Sequence, residues 1–147
     1  MATFISHSPE ETLSLGARWA MQLQPGDVIA LQGDLGAGKT QLVKGIARGL
    51  AVTERVQSPT FGLLISYLSG RLPLHHLDLY RLQSQADVVG AGLEDYLFHP
   101  DGVAVVEWPE RWSSEEPGQA RPISWKWVTL SSLDETTRQI TYEGFEP

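Results

Sequence analysis

The chain has 147 residues, 41% of them hydrophobic, with 11 basic and 18 acidic side chains and a net charge of −7. This length supports one folded domain, residues 1–147, with a real core, and the acidic balance excludes a broad nucleic-acid-binding face. There is no cysteine, hence no disulfide frame or thiolate metal site, and neither a signal peptide nor a bilayer-length apolar run is visible, which predicts a cytoplasmic protein without a membrane partner.

Thr3-Phe4-Ile5 reads as a short strand. Ser8-Pro9-Glu10-Glu11 is a helix start, with Ser8 as N-cap, Pro9 at the first helical position and Glu11 closing a capping box. Leu13, Ala17, Ala20 and Met21 recur at helical spacing, and Pro25-Gly26 turns the chain into an apolar run, Val28-Ile29-Ala30-Leu31. That run leads into Gly33-Asp34-Leu35-Gly36-Ala37-Gly38-Lys39-Thr40, which matches G-x-x-x-x-G-K-[ST], the phosphate-binding P-loop or Walker A motif. Leu42, Val43, Ile46, Ala47 and Leu50 then lie on one helical face, with Gly49 marking a stop. Strand, glycine loop and helix are thus present in the order the motif requires.

The chemistry explains the residue types. Backbone N–H groups of such a loop converge into an anion nest, and the positive end of the next helix adds to the field. Gly36 and Gly38 let phosphate oxygens approach. Lys39 is the point charge for the β- and γ-phosphates, and the Thr40 hydroxyl is a Mg²⁺ ligand.

Thr53 to Gln57 reads as loop, followed by Ser58-Pro59-Thr60-Phe61, where Thr60 is a candidate switch residue sensing the γ-phosphate or Mg²⁺. Phe61 to Leu68 and Leu72 to Leu79 form a predicted antiparallel hairpin across a tight turn at Ser69-Gly70. Strand alternation sends His75 and His76 to opposite faces, one packed and one solvated, which argues against a shared metal. Gln83 to Gly92 reads mostly as loop, and Gly92 to Leu97 as a short helix. After a turn at Asp101-Gly102, Val103-Ala104-Val105-Val106 is the continuous apolar run of a strand buried on both faces. Ser113 to Arg121 reads as loop, and Ile123 to Leu130 with Arg138 to Tyr142 as a second hairpin whose Trp125 and Trp127 face the core.

Hydrolysis requires an acid to place the metal and a water. Asp78 lies in the return strand, and Glu107 ends the Val103 to Val106 run. Ligands of open α/β sheets sit beyond the carboxyl ends of the strands, which favours Glu107 and puts Trp108 at the rim. The fold class predicted is α/β: a single-domain P-loop nucleotide-binding fold with a mixed sheet, flanking helices and antiparallel hairpins.

The P-loop, Ser58-Pro59-Thr60-Phe61, His76-Leu77-Asp78-Leu79-Tyr80-Arg81, Gly92-Leu93-Glu94-Asp95-Tyr96 and Val106-Glu107-Trp108-Pro109-Glu110-Arg111, in this order, closely resemble the bacterial TsaE (YjeE) family. The resemblance runs from about Ser8 to Arg111. It implies a weak ATPase, with ATP and Mg²⁺ as cofactors, acting with TsaB and TsaD in threonylcarbamoyladenosine modification of tRNA and meeting tRNA only through that complex. By this likeness Thr40 and Glu107 hold Mg²⁺, Asp78 and Thr60 act beside them, Thr12 lies near the nucleotide and Arg138 flanks the base. Two other readings of a P-loop remain. A small-molecule kinase needs an acceptor pocket and usually an Arg-rich lid, and Gln83 to Gly90 holds no Arg. A binding module would take nucleotide with negligible catalysis.

Overall fold

The computed structural model of the protein describes residues 1–34, 36–59, 62–112, 122 and 124–146. In chain order the elements are β1 (Ala2–Ser6), α1 (Pro9–Ala20), β2 (Val28–Gln32), α2 (Lys39–Gly49), β3 (Leu64–Tyr67), β4 (Leu74–Asp78), α3 (Gln85–Gly90), α4 (Glu94–Phe98), β5 (Val103–Glu107), a 3₁₀ turn (Pro109–Arg111), β6 (Trp125–Ser132) and β7 (Arg138–Tyr142). The strands form one sheet of seven in the order β1-β7-β6-β2-β5-β4-β3. The inner strands β6, β2, β5 and β4 are parallel, while the β3–β4, β6–β7 and β1–β7 pairs are antiparallel. The carboxyl ends of β2, β4 and β5 therefore meet at one edge, which the phosphate loop overhangs.

Alternation along the strands divides the core into two layers. Ile29, Leu31, Val103, Val105, Val128 and Leu130 pack under α1 and α2, with Trp19 stacked on Phe145. Val28, Ala30, Leu77, Ala104, Val106, Trp125 and Trp127 pack on the other face with Val88 of α3 and Leu97 of α4. The predicted core role of Trp125 and Trp127 is met.

Helices α1 and α2 cross with their backbones in contact. A Cβ added at Gly45 would lie 2.1 Å from the Leu13 carbonyl oxygen, one at Gly49 2.5 Å from that of Ala17, and one at Gly16 2.6 Å from that of Leu42. Gly49 does end α2, but its packing against α1 is the tighter constraint.

The helix start at Ser8 forms as predicted: Ser8 Oγ accepts from Glu11 N at 3.1 Å, and Glu11 reaches back to His7 N at 2.7 Å. Three expectations are corrected. The Gln83 to Gly92 segment contains α3, opened by Ser84, whose hydroxyl accepts from Asp87 N while Asp87 accepts from Gln83 N. The β3–β4 connection runs from Leu68 to Pro73 and is no tight turn, because it docks on the end of α2: Arg71 N donates to Leu50 O at 2.6 Å. His75 and His76 do point to opposite faces, yet both are buried, because each finds a carboxylate: Asp101 for His75 and Glu107 for His76. The strands predicted to begin at Phe61 and Ile123 start at Leu64 and Trp125, and the loop predicted for 113–121 lies outside the described residues.

Candidate functional site

The site begins with a helix end that no side chain among the described residues caps. Gly38, the N-cap of α2, has a left-handed backbone (φ 98°) and offers no side chain, and the first turn contains no acid. The first amides of a helix lack intrahelical acceptors, so α2 presents donors and a positive field to whatever lies before Lys39. Gly33 tucks the loop onto β6, where an added Cβ would meet the Leu130 carbonyl at 2.9 Å. Within the loop, Ala37 N donates to Asp34 O at 3.0 Å, leaving Asp34 exposed and Ala37 buried. On the far side the Arg138 guanidinium donates to Gly36 O at 3.3 Å and to Asp134 O at 2.8 Å, tying the loop to the β6–β7 turn.

Glu107 and Asp78 end neighbouring parallel strands in matched register, and alternation turns both toward the face carrying α2. Glu107 is 5% exposed, and its Oε1 lies 3.7 Å from Lys39 Nζ. Its Oε2 lies 2.6 Å from His76 Nε2. Asp78 Oδ1 accepts from Tyr80 N at 2.9 Å. Burial pushes the Asp78 carboxyl above its ordinary value; the Tyr80 N–H works against that, and the neighbouring Glu107 charge adds to it.

Beyond Glu107 the chain turns sharply. Trp108 has a left-handed backbone (φ 58°), which is costly for a large side chain, the more so before Pro109. The turn lays the indole over Lys39, with Nζ 4.9 Å from the ring centroid, and brings it against Tyr80 at 5.1 Å. Arg111 stacks over Trp108 at 5.6 Å and Tyr80 at 5.9 Å.

Two cavities flank the start of α2. One, of about 410 Å³, is lined by Gly36, Lys39, Thr40, Ser58, Asp78, Tyr80, Glu107 and Trp108. The other, of about 330 Å³, is lined by Ser8, Pro9, Thr12, Gly38, Thr40, Gln41, Lys44, Glu135, Thr136 and Arg138. Thr40 borders both. Of the residues singled out in the sequence, Lys39, Thr40, Asp78, Glu107 and Trp108 converge on the first cavity, and Thr12 and Arg138 on the second. Thr12 is buried, its hydroxyl 2.7 Å from that of Ser6. Leu35 and Thr60 lie outside the described residues. Ser58 and Tyr80 are cavity walls that their sequence segments do not single out, and His76, expected only as one of an oppositely facing pair, meets Glu107. For His76 the signal was present: period two places it with Asp78 on one face. Among the described residues no three His, Asp or Glu side chains form a metal cage, and no helix is long and apolar enough to cross a membrane.

A family model described as threonylcarbamoyl adenosine biosynthesis protein TsaE matches residues 6–140. Three curated relatives, each named tRNA threonylcarbamoyladenosine biosynthesis protein TsaE, are similar over most of the chain. That of Bacillus subtilis is 39% identical over 135 residues, covering 92% of this chain and 80% of its own. That of a Nostoc species is 44% identical over 139 residues, covering 92% and 82%. That of Treponema pallidum is 42% identical over 137 residues, covering 93% and 96%. The crystal structure of Bacillus subtilis YdiB superposes with a TM-score of 0.74 at 35% identity, covering 96% of this chain and 83% of that one. With the fold, the loop and the relatives in agreement, the chain belongs to the TsaE family.

Proposed function

We propose that this chain binds ATP with Mg²⁺ and hydrolyses it slowly, as a cytoplasmic partner of TsaB and TsaD in the threonylcarbamoyladenosine modification of tRNA. One observation carries the reading: Lys39 and Glu107, from the start of α2 and the end of β5, are both buried and face each other at 3.7 Å across the wall of one cavity. A cation and an acid so placed suit a triphosphate on one side and its metal on the other.

The residues present fit both groups. The uncapped amides of α2 favour phosphate, and Lys39 exchanges its carboxylate for phosphate oxygens. Glu107 and Thr40 line the same cavity and supply two oxygen donors. Mg²⁺ keeps several waters and takes phosphate oxygens, so the absence of a protein cage among the described residues suits it. Thr40 and Glu107 would hold Mg²⁺, which would supply charge to offset that growing on the phosphates. Glu107 and Asp78 then hold and orient the water that attacks. Thr12, Gln41, Lys44 and Arg138 bound the second cavity, on the side where the nucleoside follows the α-phosphate.

Arg111 is engaged with Trp108 and Tyr80. An arginine aimed at the transferred phosphate is worth ~10³–10⁵ in rate, so while Arg111 is held by these two rings the site turns over slowly alone. TsaB and TsaD complete it in this scheme. The test is steady-state phosphate release with and without TsaB–TsaD, using Lys39→Ala as the blank. Stimulation by the pair is expected, and equal rates refute the partner role. Co-purification with both partners, with and without ATP–Mg²⁺, checks the assembly itself.

A further inference from the structure

One buried polar side chain beside the site has no part in the scheme above. His76 is fully buried on β4. Alternation places it on the α2 face with Asp78, and its register partner Val105 precedes Glu107 by two residues on β5. Its Nε2 lies 2.6 Å from Glu107 Oε2, while its Nδ1 is buried with no hydrogen-bond partner among the described residues. A core imidazole kept for packing is ordinarily satisfied at both nitrogens. His75, on the opposite face, shows that pattern, with Ser66 at 2.7 Å from Nδ1 and Asp101 at 2.7 Å from Nε2. Among the described residues His76 has one hydrogen-bond partner, the acid at the cavity wall.

We infer that His76 is a positioning residue for Glu107, an assignment that rests on the nucleotide reading above. A carboxylate only accepts, so Nε2 carries the hydrogen and donates it to Oε2. The bond to Glu107 thus fixes which ring nitrogen faces the cavity wall, whichever state the unpartnered Nδ1 holds. The bond leaves Oε1 as the oxygen that faces Lys39 and the cavity. Phosphate draws Lys39 away, and with it the other tether on Glu107. His76 keeps the carboxylate in its rotamer at that moment. Partners of this kind, one bond removed from the metal, are worth ~10–100-fold in metal affinity or activity.

The experiment compares wild type with His76→Ala, His76→Gln and His76→Leu. The Gln amide places an N–H near the position of Nε2; Leu fills similar space without a donor. Calorimetry gives ATP affinity in EDTA and the Mg²⁺ concentration at half-maximal effect, and Mn²⁺ spin resonance reports metal bound to the nucleotide complex. EDTA affinity stays within about twofold throughout. His76→Ala and His76→Leu need ~10–100-fold more metal, and kcat falls with KM unchanged. His76→Gln recovers most of the loss. Wild-type metal dependence in His76→Ala, or recovery by Leu equal to that by Gln, overturns the assignment. If His76→Ala does not fold, the size-matched Gln and Leu variants decide. Failure of the wild type to bind ATP refutes the nucleotide reading and this assignment with it; binding with an indifferent His76 refutes this assignment alone.

Discussion

Replacing Gly45 by alanine adds one methyl group at the tightest point of the α1–α2 crossing. The new Cβ falls 2.1 Å from the Leu13 carbonyl oxygen, where ordinary contact begins at 3.4 Å. That oxygen belongs to helix backbone and cannot swing aside, so the helices must part by roughly 1 Å. Overpacking of this kind costs ~1–3 kcal/mol, and a clash with backbone belongs at the upper end. Alanine recovers about 1 kcal/mol of helix propensity. The net loss is about 2 kcal/mol, or a fall of about 4–8 °C in melting temperature for a chain of this size. Scanning calorimetry reads it directly. Gly90→Ala is the control, since nothing lies within 4 Å of the added Cβ at the end of α3; there a gain of about 0.5 kcal/mol is expected. A Gly45→Ala protein that melts at or above wild type refutes the packing argument. Because α2 starts at Lys39, the displaced helix also carries the lysine away from Glu107, and ATP affinity falls with stability.

Lys39→Ala removes the charge facing the phosphates and lowers ATP affinity by ~10–100-fold, measured by calorimetry. Glu107→Ala lowers turnover far more than affinity; normal hydrolysis beside TsaB–TsaD would shift the metal role to Asp78. The raised pKa of Asp78 makes its ionised form a cost to the fold, absent below the unfolded pKa and complete above the folded one. Asp78→Asn therefore raises the melting temperature at neutral pH, less so in acid, while slowing hydrolysis. The Asp101 carboxyl is held below its usual value by the hydrogen bond from His75. Its contribution is present above the unfolded pKa and lost as pH falls through the folded one, so Asp101→Ala lowers stability at pH 7 and the deficit closes in strong acid, as urea titrations at several pH values will reveal.

Local signals carried much of this fold. The Ser8 cap, the Val28 to Leu31 run entering a glycine loop, and the apolar Val103 to Val106 stretch each report their structure within a few residues. α3 was equally local: Ser84 and Asp87 have capping-box spacing, hidden among polar neighbours. The burial of both histidines was not local, since their partners Asp101 and Glu107 come from elsewhere in the chain. Periodicity gives a side chain its face but not what waits there. The same holds for Gly16, Gly45 and Gly49, whose absent side chains have meaning only once two helices meet. Convergence of Lys39 with Glu107 was foreseeable from the rule that ligands gather beyond the carboxyl ends of strands. The indole lying over Lys39 was not, because it depends on a left-handed turn at Trp108 that no composition announces.

β2, which delivers the phosphate loop, pairs with β5 on one side and β6 on the other. More than half of the chain separates β2, which ends at Gln32, from β6, which starts at Trp125. During synthesis the loop emerges early, yet its supporting strand remains bare along one edge until the last hairpin leaves the ribosome. A nascent chain cut short before Trp125 would carry the full glycine motif and still be unable to hold a ligand on it. The glycine loop therefore gains its full backing only when two stretches far apart in the chain have closed the sheet around β2.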